Sequence, residues 1–163
     1  MLDDSIRSQL REHLERIQRP VEIVAELDAG ETSGRVRVLL EELAELSPDL
    51  SWREGVVDAT RLPTLAVGQP GAIGSMRFCG VPMGHEFSSL VRAILHAGGH
   101  PPRVDPDLRA QIEAIPGEHH FETFVSLSCQ TCPGVVQALN LFAALNSGVT
   151  HTMVDGSGFS EEM

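Results

Sequence analysis

Two cysteines separated by two residues are the part of this sequence best suited to chemistry. Cys129 and Cys132 follow an apolar, β-branched run, Phe121 to Leu127, and Pro133 comes directly after them. A thiol pair at this spacing can close into a disulfide and reopen by exchange, in which the thiolate is the attacking form. In a chain with only three cysteines, such a pair is more typical of redox catalysis or metal binding than of a structural disulfide framework.

The elements around the pair predict a strand, then the cysteines, then a helix. Pro133 suits a first helical turn, where a missing N–H costs nothing. The unpaired N–H groups and the positive dipole end of that helix would favour a thiolate, so the order is typical of a thioredoxin-like redox motif. We expect Cys129 to attack a partner disulfide and Cys132 to resolve the mixed disulfide. Apolar residues continue along the helix at Val136, Leu139, Leu141, Phe142 and Leu145.

Two alternatives concern the other metal-binding and thiol side chains. A zinc site could be completed by His119, His120 or His151. However, zinc takes four ligands, usually as two closely spaced pairs, and these histidines do not supply the usual second pair. Cys79 follows Phe78 in a predicted strand, where a free cysteine is more often a small buried hydrophobe than a regulatory thiol.

Composition excludes several classes of function. The chain has 163 residues, 42% of them hydrophobic, and a formal net charge of -11. The acidic balance argues against a nucleic-acid partner, because neutralising phosphates needs clustered basic residues. No run approaches the 18 apolar residues of a membrane span. The acidic start, Met1-Leu-Asp-Asp4, lacks the features of a secretory signal, and we expect a cytoplasmic protein.

Hydrophobic periodicity predicts an α/β chain built from a repeat. Helix, strand, turn, helix and strand occur at 2–57 and again at 106–154, with a breaker-rich linker at 98–106 between them. The first copy continues into two further strands and a helix, whereas the second stops at Met163. We therefore expect an unpaired sheet edge on the strand that ends at Val154. The predicted strands are 21–27, 52–57, 63–67, 76–81, 121–127 and 149–154.

Several short motifs together resemble one family. They are Ala44-Glu-Leu-Ser47, Gly84-His-Glu-Phe87, Gly98-Gly-His-Pro101, Ser126-Leu-Ser-Cys129 and Val135-Val-Gln-Ala-Leu-Asn-Leu141. The sequence is similar to the N-terminal domain of the flavoprotein subunit of bacterial alkyl hydroperoxide reductase, nearly from end to end. The resemblance implies two fused thioredoxin-like folds. Residues 1–99 would form the fold without the cysteine pair, and residues 100–163 would begin the second, incomplete at its C-terminus.

The resemblance also implies a function. Domains of this family accept electrons from a flavin- and NADH-binding reductase portion and pass them to a peroxiredoxin that reduces hydroperoxides. The sequence has no Gly-x-Gly-x-x-Gly before a helix, so we expect no cofactor in this chain, and FAD and NADH would belong to the missing portion. The alternative is a non-catalytic module that docks a peroxiredoxin or stabilises a larger reductase.

Two residues of the first copy also gain an expectation from the resemblance. Glu86 would approach the disulfide from the cysteine-free fold and influence thiol protonation. Its simpler role is a first-turn carboxylate stabilised by the helix dipole, and both roles can coexist. Pro63 matches the position of a thioredoxin-type cis-proline, here in the fold that has no thiol pair.

Overall fold

The computed structural model describes residues 1–162 and contains a mixed six-stranded sheet with five α-helices in that range. A short 3-10 helix, Gly84–Glu86, leads into α3, and two more lie at Gly156–Gly158 and Ser160–Glu162. The helices are α1 (Asp4–Leu14), α2 (Glu31–Ala44), α3 (Phe87–Ala97), α4 (Pro106–Glu113) and α5 (Cys132–Leu145). The strands are β1 (Val21–Glu26), β2 (Leu50–Glu54), β3 (Thr64–Gly68), β4 (Met76–Cys79), β5 (His119–Val125) and β6 (Val149–Asp155).

Helix ends follow from local side-chain chemistry. The Asp3 carboxylate accepts the Ile6 N–H at 2.8 Å and begins α1. Asp105 accepts the Asp107 N–H at 2.8 Å, and Pro106 occupies the first turn of α4. Both aspartates satisfy an N–H that has no partner inside the helix. The predicted strand at 52–57 is displaced, because pairing with β1 begins at Leu50 and ends at Glu54.

The strands lie in the order β2-β1-β3-β4-β6-β5. The pairs β1–β2, β4–β6 and β5–β6 are parallel, and β1–β3 and β3–β4 are antiparallel. The predicted repeat is confirmed, because α1-β1-α2-β2 recurs as α4-β5-α5-β6. The expected free edge on β6 is wrong, since β6 pairs with β5 on one side and with β4 of the first copy on the other. In residues 1–162 the edge strands are β2 and β5.

The main core lies between one face of the sheet and the helices, and it runs through both copies of the repeat. Ile23, Leu65 and Phe78 from the first copy belong to the same buried cluster as Val136 and Met153 from the second. The opposite face carries a smaller cluster of Val24, Val57 and Ala66. No helix within residues 1–162 is long and apolar enough to cross a membrane.

Candidate redox site at Cys129 and Cys132

Cys129 and Cys132 are joined as a disulfide between the end of β5 and the start of α5. Their Cα atoms are 5.6 Å apart, inside the range that a disulfide spans without moving the backbone. Cys129 lies in the loop that follows β5, and Cys132 is the first residue of α5. The expected strand, cysteine pair and helix are thus confirmed. Both cysteines are half-buried.

The N-terminus of α5 points an N–H group at the first sulfur. The Cys132 backbone N–H donates to Cys129 Sγ at 3.2 Å, and Thr131 Oγ1 lies 3.6 Å from the same sulfur. A thiolate formed on Cys129 would accept this N–H more strongly than a neutral sulfur, because the acceptor would be charged. The helix dipole acts in the same direction. Cys129 is therefore the sulfur whose ionised form the local structure favours.

A segment of the first copy touches the cysteine loop. The His85 N–H donates to the Leu127 carbonyl at 2.9 Å, two residues before Cys129. Gly84 has a φ of +59°, and a Cβ at this position would lie 2.6 Å from the Leu127 oxygen. Only glycine permits both this conformation and this approach. The Gly84–Glu86 segment is therefore held against the loop that carries Cys129.

Glu86, the last residue of this segment, is fully buried. Its Oε2 accepts the Ser89 hydroxyl at 2.6 Å, whereas its Oε1 has no hydrogen-bond partner in residues 1–162. Burial raises the pKa of Glu86 above its ordinary value, and the Ser89 hydrogen bond and His85 oppose that rise only in part. Gln137 Nε2 on α5 donates to the Ser89 hydroxyl at 3.2 Å. The carboxyl is thus linked through Ser89 to the helix that begins at Cys132.

The loop before β3 reaches the strand that precedes the cysteines. The Leu62–Pro63 bond is cis, as expected from the position of Pro63. Two residues earlier, Arg61 forms ion pairs with Glu122 of β5 and with Glu162, the latter at 2.7 Å. Its guanidinium also lies 5.2 Å from the centre of the Phe124 ring. The two carboxylates raise the pKa of Arg61 further above its usual range. Nothing in the sequence pattern singles out Arg61.

The histidines weighed as zinc ligands have other partners. His151 is fully buried, with Nδ1 2.8 Å from Asn140 Oδ1 and Nε2 2.8 Å from Thr123 Oγ1. Burial lowers the pKa of His151 to about 4. His119 Nε2 lies 2.9 Å from the Pro116 carbonyl. Across residues 1–162 no three His, Cys, Asp or Glu side chains cluster in a way that could hold a metal ion.

Cys79 is fully buried in β4, as the sequence suggested. Burial raises the pKa of its thiol, which keeps it in the unreactive neutral form.

Comparison with known proteins places this architecture. No protein-family model matches the chain. The alkyl hydroperoxide reductase protein AhpF of Pseudomonas putida is 50% identical over 163 residues, which is 100% of this chain and 31% of that protein. The crystal structure of the NTD_N/C domain of AhpF from Enterococcus faecalis superimposes with a TM-score of 0.92 at 30% identity, covering 99% of this chain and 84% of that one. The chain belongs to the family of AhpF N-terminal domains.

Membership of the AhpF family confirms the resemblance read from the motifs and the α/β fold. A protein disulfide oxidoreductase from Aeropyrum pernix has the same fold, with a TM-score of 0.85 at 24% identity over 99% of this chain. The chain spans about a third of the length of the curated AhpF relatives that it matches. The residues described above are therefore those of one part of such a protein.

Proposed function

We propose that this chain transfers electrons by thiol–disulfide exchange through Cys129 and Cys132. The observation that carries the proposal is the Cys132 N–H that donates to Cys129 Sγ at 3.2 Å, at the first residue of a 14-residue helix. This contact distinguishes the two sulfurs, because it favours the ionised form of Cys129 alone. A reactive pair needs such a difference between an attacking and a resolving thiol.

The exchange proceeds in two steps that balance. The Cys129 thiolate attacks one sulfur of the partner disulfide, the partner's S–S bond breaks, and its second sulfur leaves as a thiolate that takes up a proton. Cys132 then loses its proton and attacks Cys129 Sγ, which releases the partner's remaining sulfur. The partner has gained two electrons and two protons, and the chain has become the disulfide.

The electron donor and the final acceptor follow from the family. Relatives named alkyl hydroperoxide reductase support a peroxiredoxin as the partner disulfide and hydroperoxides as the final substrate. A flavin- and NADH-binding reductase portion would reduce the Cys129–Cys132 disulfide again, and FAD supplies two-electron chemistry when bound there. Cycling between dithiol and disulfide fits a reducing cytoplasm.

Glu86 is proposed as the group that receives the Cys132 proton. Its Oε1 is buried without a partner in residues 1–162, and its pKa lies above the ordinary carboxyl value. A carboxyl with a raised pKa is a better match to a thiol proton than an exposed one. The link from Glu86 through Ser89 and Gln137 to α5 supports this role.

The test is reduction of an oxidised peroxiredoxin, or of insulin, by the chain supplied with a small dithiol. We expect Cys129→Ser to lower the rate to that of the dithiol alone, and Cys132→Ser to accumulate a mixed disulfide with the partner. Cys79→Ser, which removes a buried thiol far less able to ionise, should leave the rate unchanged. Alkylation of the reduced chain near pH 7 should be fastest at Cys129 and slowest at Cys79.

A chain that binds the oxidised peroxiredoxin and yet gives no rate above the dithiol alone would contradict this function. That result would favour the docking module, the alternative inferred from the sequence.

A further inference from the structure

Three adjoining cavities form a groove whose charge is opposite to that of the whole chain. The largest, about 530 Å³, lies between α1 and α3 and reaches Gly84 and His85. The second, about 240 Å³, continues over the segment 100–103, and the third, about 270 Å³, ends on α5 at Gly134. Arg92 lines all three. We call these cavities together the basic groove.

Basic side chains line the groove and no acidic side chain of residues 1–162 does. Arg16, Arg92 and Arg103 are all exposed. In the described part of the chain none of the three forms an ion pair, whereas Arg7, Arg37, Arg53, Arg61 and Arg109 all pair with carboxylates. A chain with a net charge of -11 thus leaves three neighbouring guanidinium groups without a counter-charge.

Histidines increase the positive character of the groove. His13 and His85 line the first cavity, and His100 lines the second. His96 lines the second and third, and its Nδ1 is buried without a hydrogen-bond partner in residues 1–162. The pKa of His96 is lowered to about 4, chiefly by burial and further by the positive charges of Arg92 and His100. These charges are therefore not cancelled locally.

The groove meets the redox pair at both ends. At one end, His85 donates its N–H to Leu127, two residues before Cys129. At the other end, Gly134 is two residues after Cys132 on α5. The floor between them is apolar, with Phe87, Val91 and Leu95 from α3.

We propose that the basic groove binds an acidic polypeptide segment of the protein whose disulfide Cys129 attacks. Carboxylates of that segment would pair with Arg16, Arg92 and Arg103, and its apolar side chains would cover the α3 floor. The proposal rests on the exchange function above, because it assigns a recognition surface to that same site. Complementary charge of this kind chiefly raises the rate of association and selects among partners.

The test compares two disulfide probes on the fully reduced chain. One peptide carries a cysteine joined to 5-thio-2-nitrobenzoate and flanked by four glutamates and a leucine, and the other has glutamines in place of the glutamates. Each reaction oxidises the dithiol to the disulfide and yields the peptide thiol and the coloured thiolate, whose release gives the rate. Net charge alone predicts that the acidic peptide reacts more slowly, whereas the groove predicts the reverse.

We expect the acidic peptide to react about tenfold faster at low salt, with the advantage falling as salt screens the charges. Arg92→Glu should remove this advantage and leave the glutamine peptide's rate unchanged. Arg35→Glu is the matched control, because Arg35 is exposed on α2, lines none of these cavities and changes the net charge equally. It should keep the advantage.

Equal rates for the two peptides, or equal effects of the two charge reversals, would overturn the groove and leave the exchange function standing. Failure of the reduced chain to react with either peptide would instead overturn the exchange function. An acidic preference that disappears in a longer form of the protein would assign the groove to that protein's own chain, and this too would overturn the proposal.

Discussion

The loops that follow β1 and β5 occupy equivalent places in the two copies, and each leads into a 14-residue helix. After β1, the Asp28 carboxylate accepts the Gly30 N–H and the Ser33 hydroxyl, both at 2.8 Å. After β5, Cys129 Sγ accepts the Cys132 N–H. Both loops place an acceptor of N–H groups at the start of a helix. The Asp28 carboxylate is charged at neutral pH and stabilises structure, whereas a cysteine sulfur becomes charged only when reduced and can then react.

The interiors of the two copies differ as well. The third residue of β2 is Trp52, and the third residue of β6 is His151. The ninth residue of α2 is Leu39, and the ninth of α5 is Asn140. The copy with the cysteine pair therefore has a buried His–Asn hydrogen bond where the other copy has two apolar side chains. The redox copy has polar groups in its core at positions where the cysteine-free copy lacks them.

The largest effect should come from breaking this difference at His151. Its pKa is about 4 in the folded chain against about 6.5 when unfolded. The unfolded state therefore binds more protons between these values, and stability falls as the pH falls from 6.5 to 4. His151 should account for about 3 kcal/mol of that loss.

The measurement is urea unfolding of wild type and His151→Gln across this pH range. The stability difference between the two should shrink by about the same amount as the pH falls. His119→Gln, an exposed histidine of β5, is the control and should run parallel to wild type. Parallel curves for His151→Gln would show that the buried imidazole does not resist protonation.

A smaller effect should show whether the cysteine-free copy contributes to the chemistry. When ionised, the Glu86 carboxylate would repel a neighbouring thiolate, so Glu86→Gln should lower the thiol pKa values by about one unit, roughly 1.4 kcal/mol. It should also slow reduction of the partner, because the proton acceptor is lost. Thiolate absorbance against pH measures the first effect, and Glu118→Gln on the surface is the matched control. Superimposable titration curves would reduce Glu86 to a buried structural carboxyl.

The smallest effect should separate the two loops from each other. Asp28→Ala removes acceptors for the Gly30 N–H and the Ser33 hydroxyl, whose bonds also lower the pKa of Asp28. We expect Tm to fall by about 2–4 °C with no change in the exchange rate of Cys129. Asp49→Ala, an exposed aspartate before β2, should leave Tm unchanged. A slower exchange in Asp28→Ala would mean that the β1 loop supports the redox site.

Local patterns were sufficient to predict the strand, the cysteine pair and the helix, because Phe121 to Pro133 are contiguous and their spacing reflects the elements directly. They failed for the edge of β6, since its pairing with β4 joins residues far apart in sequence. Arg61 and the three groove arginines were missed for the same reason. Arg16, Arg92 and Arg103 come from separate elements, and only the packing of α1 and α3 brings them together.

The pairing of β4 with β6 also has a consequence for how the chain is made. During synthesis the first copy emerges before the second, so β4 can already stand at the edge of a formed sheet when β6 leaves the ribosome. We expect the finished sheet to act as a template on which β6 and then β5 are added, since domains fold from the N-terminus as they are made. The thiol pair, synthesised between β5 and β6, would be among the last parts of residues 1–162 to be fixed in place.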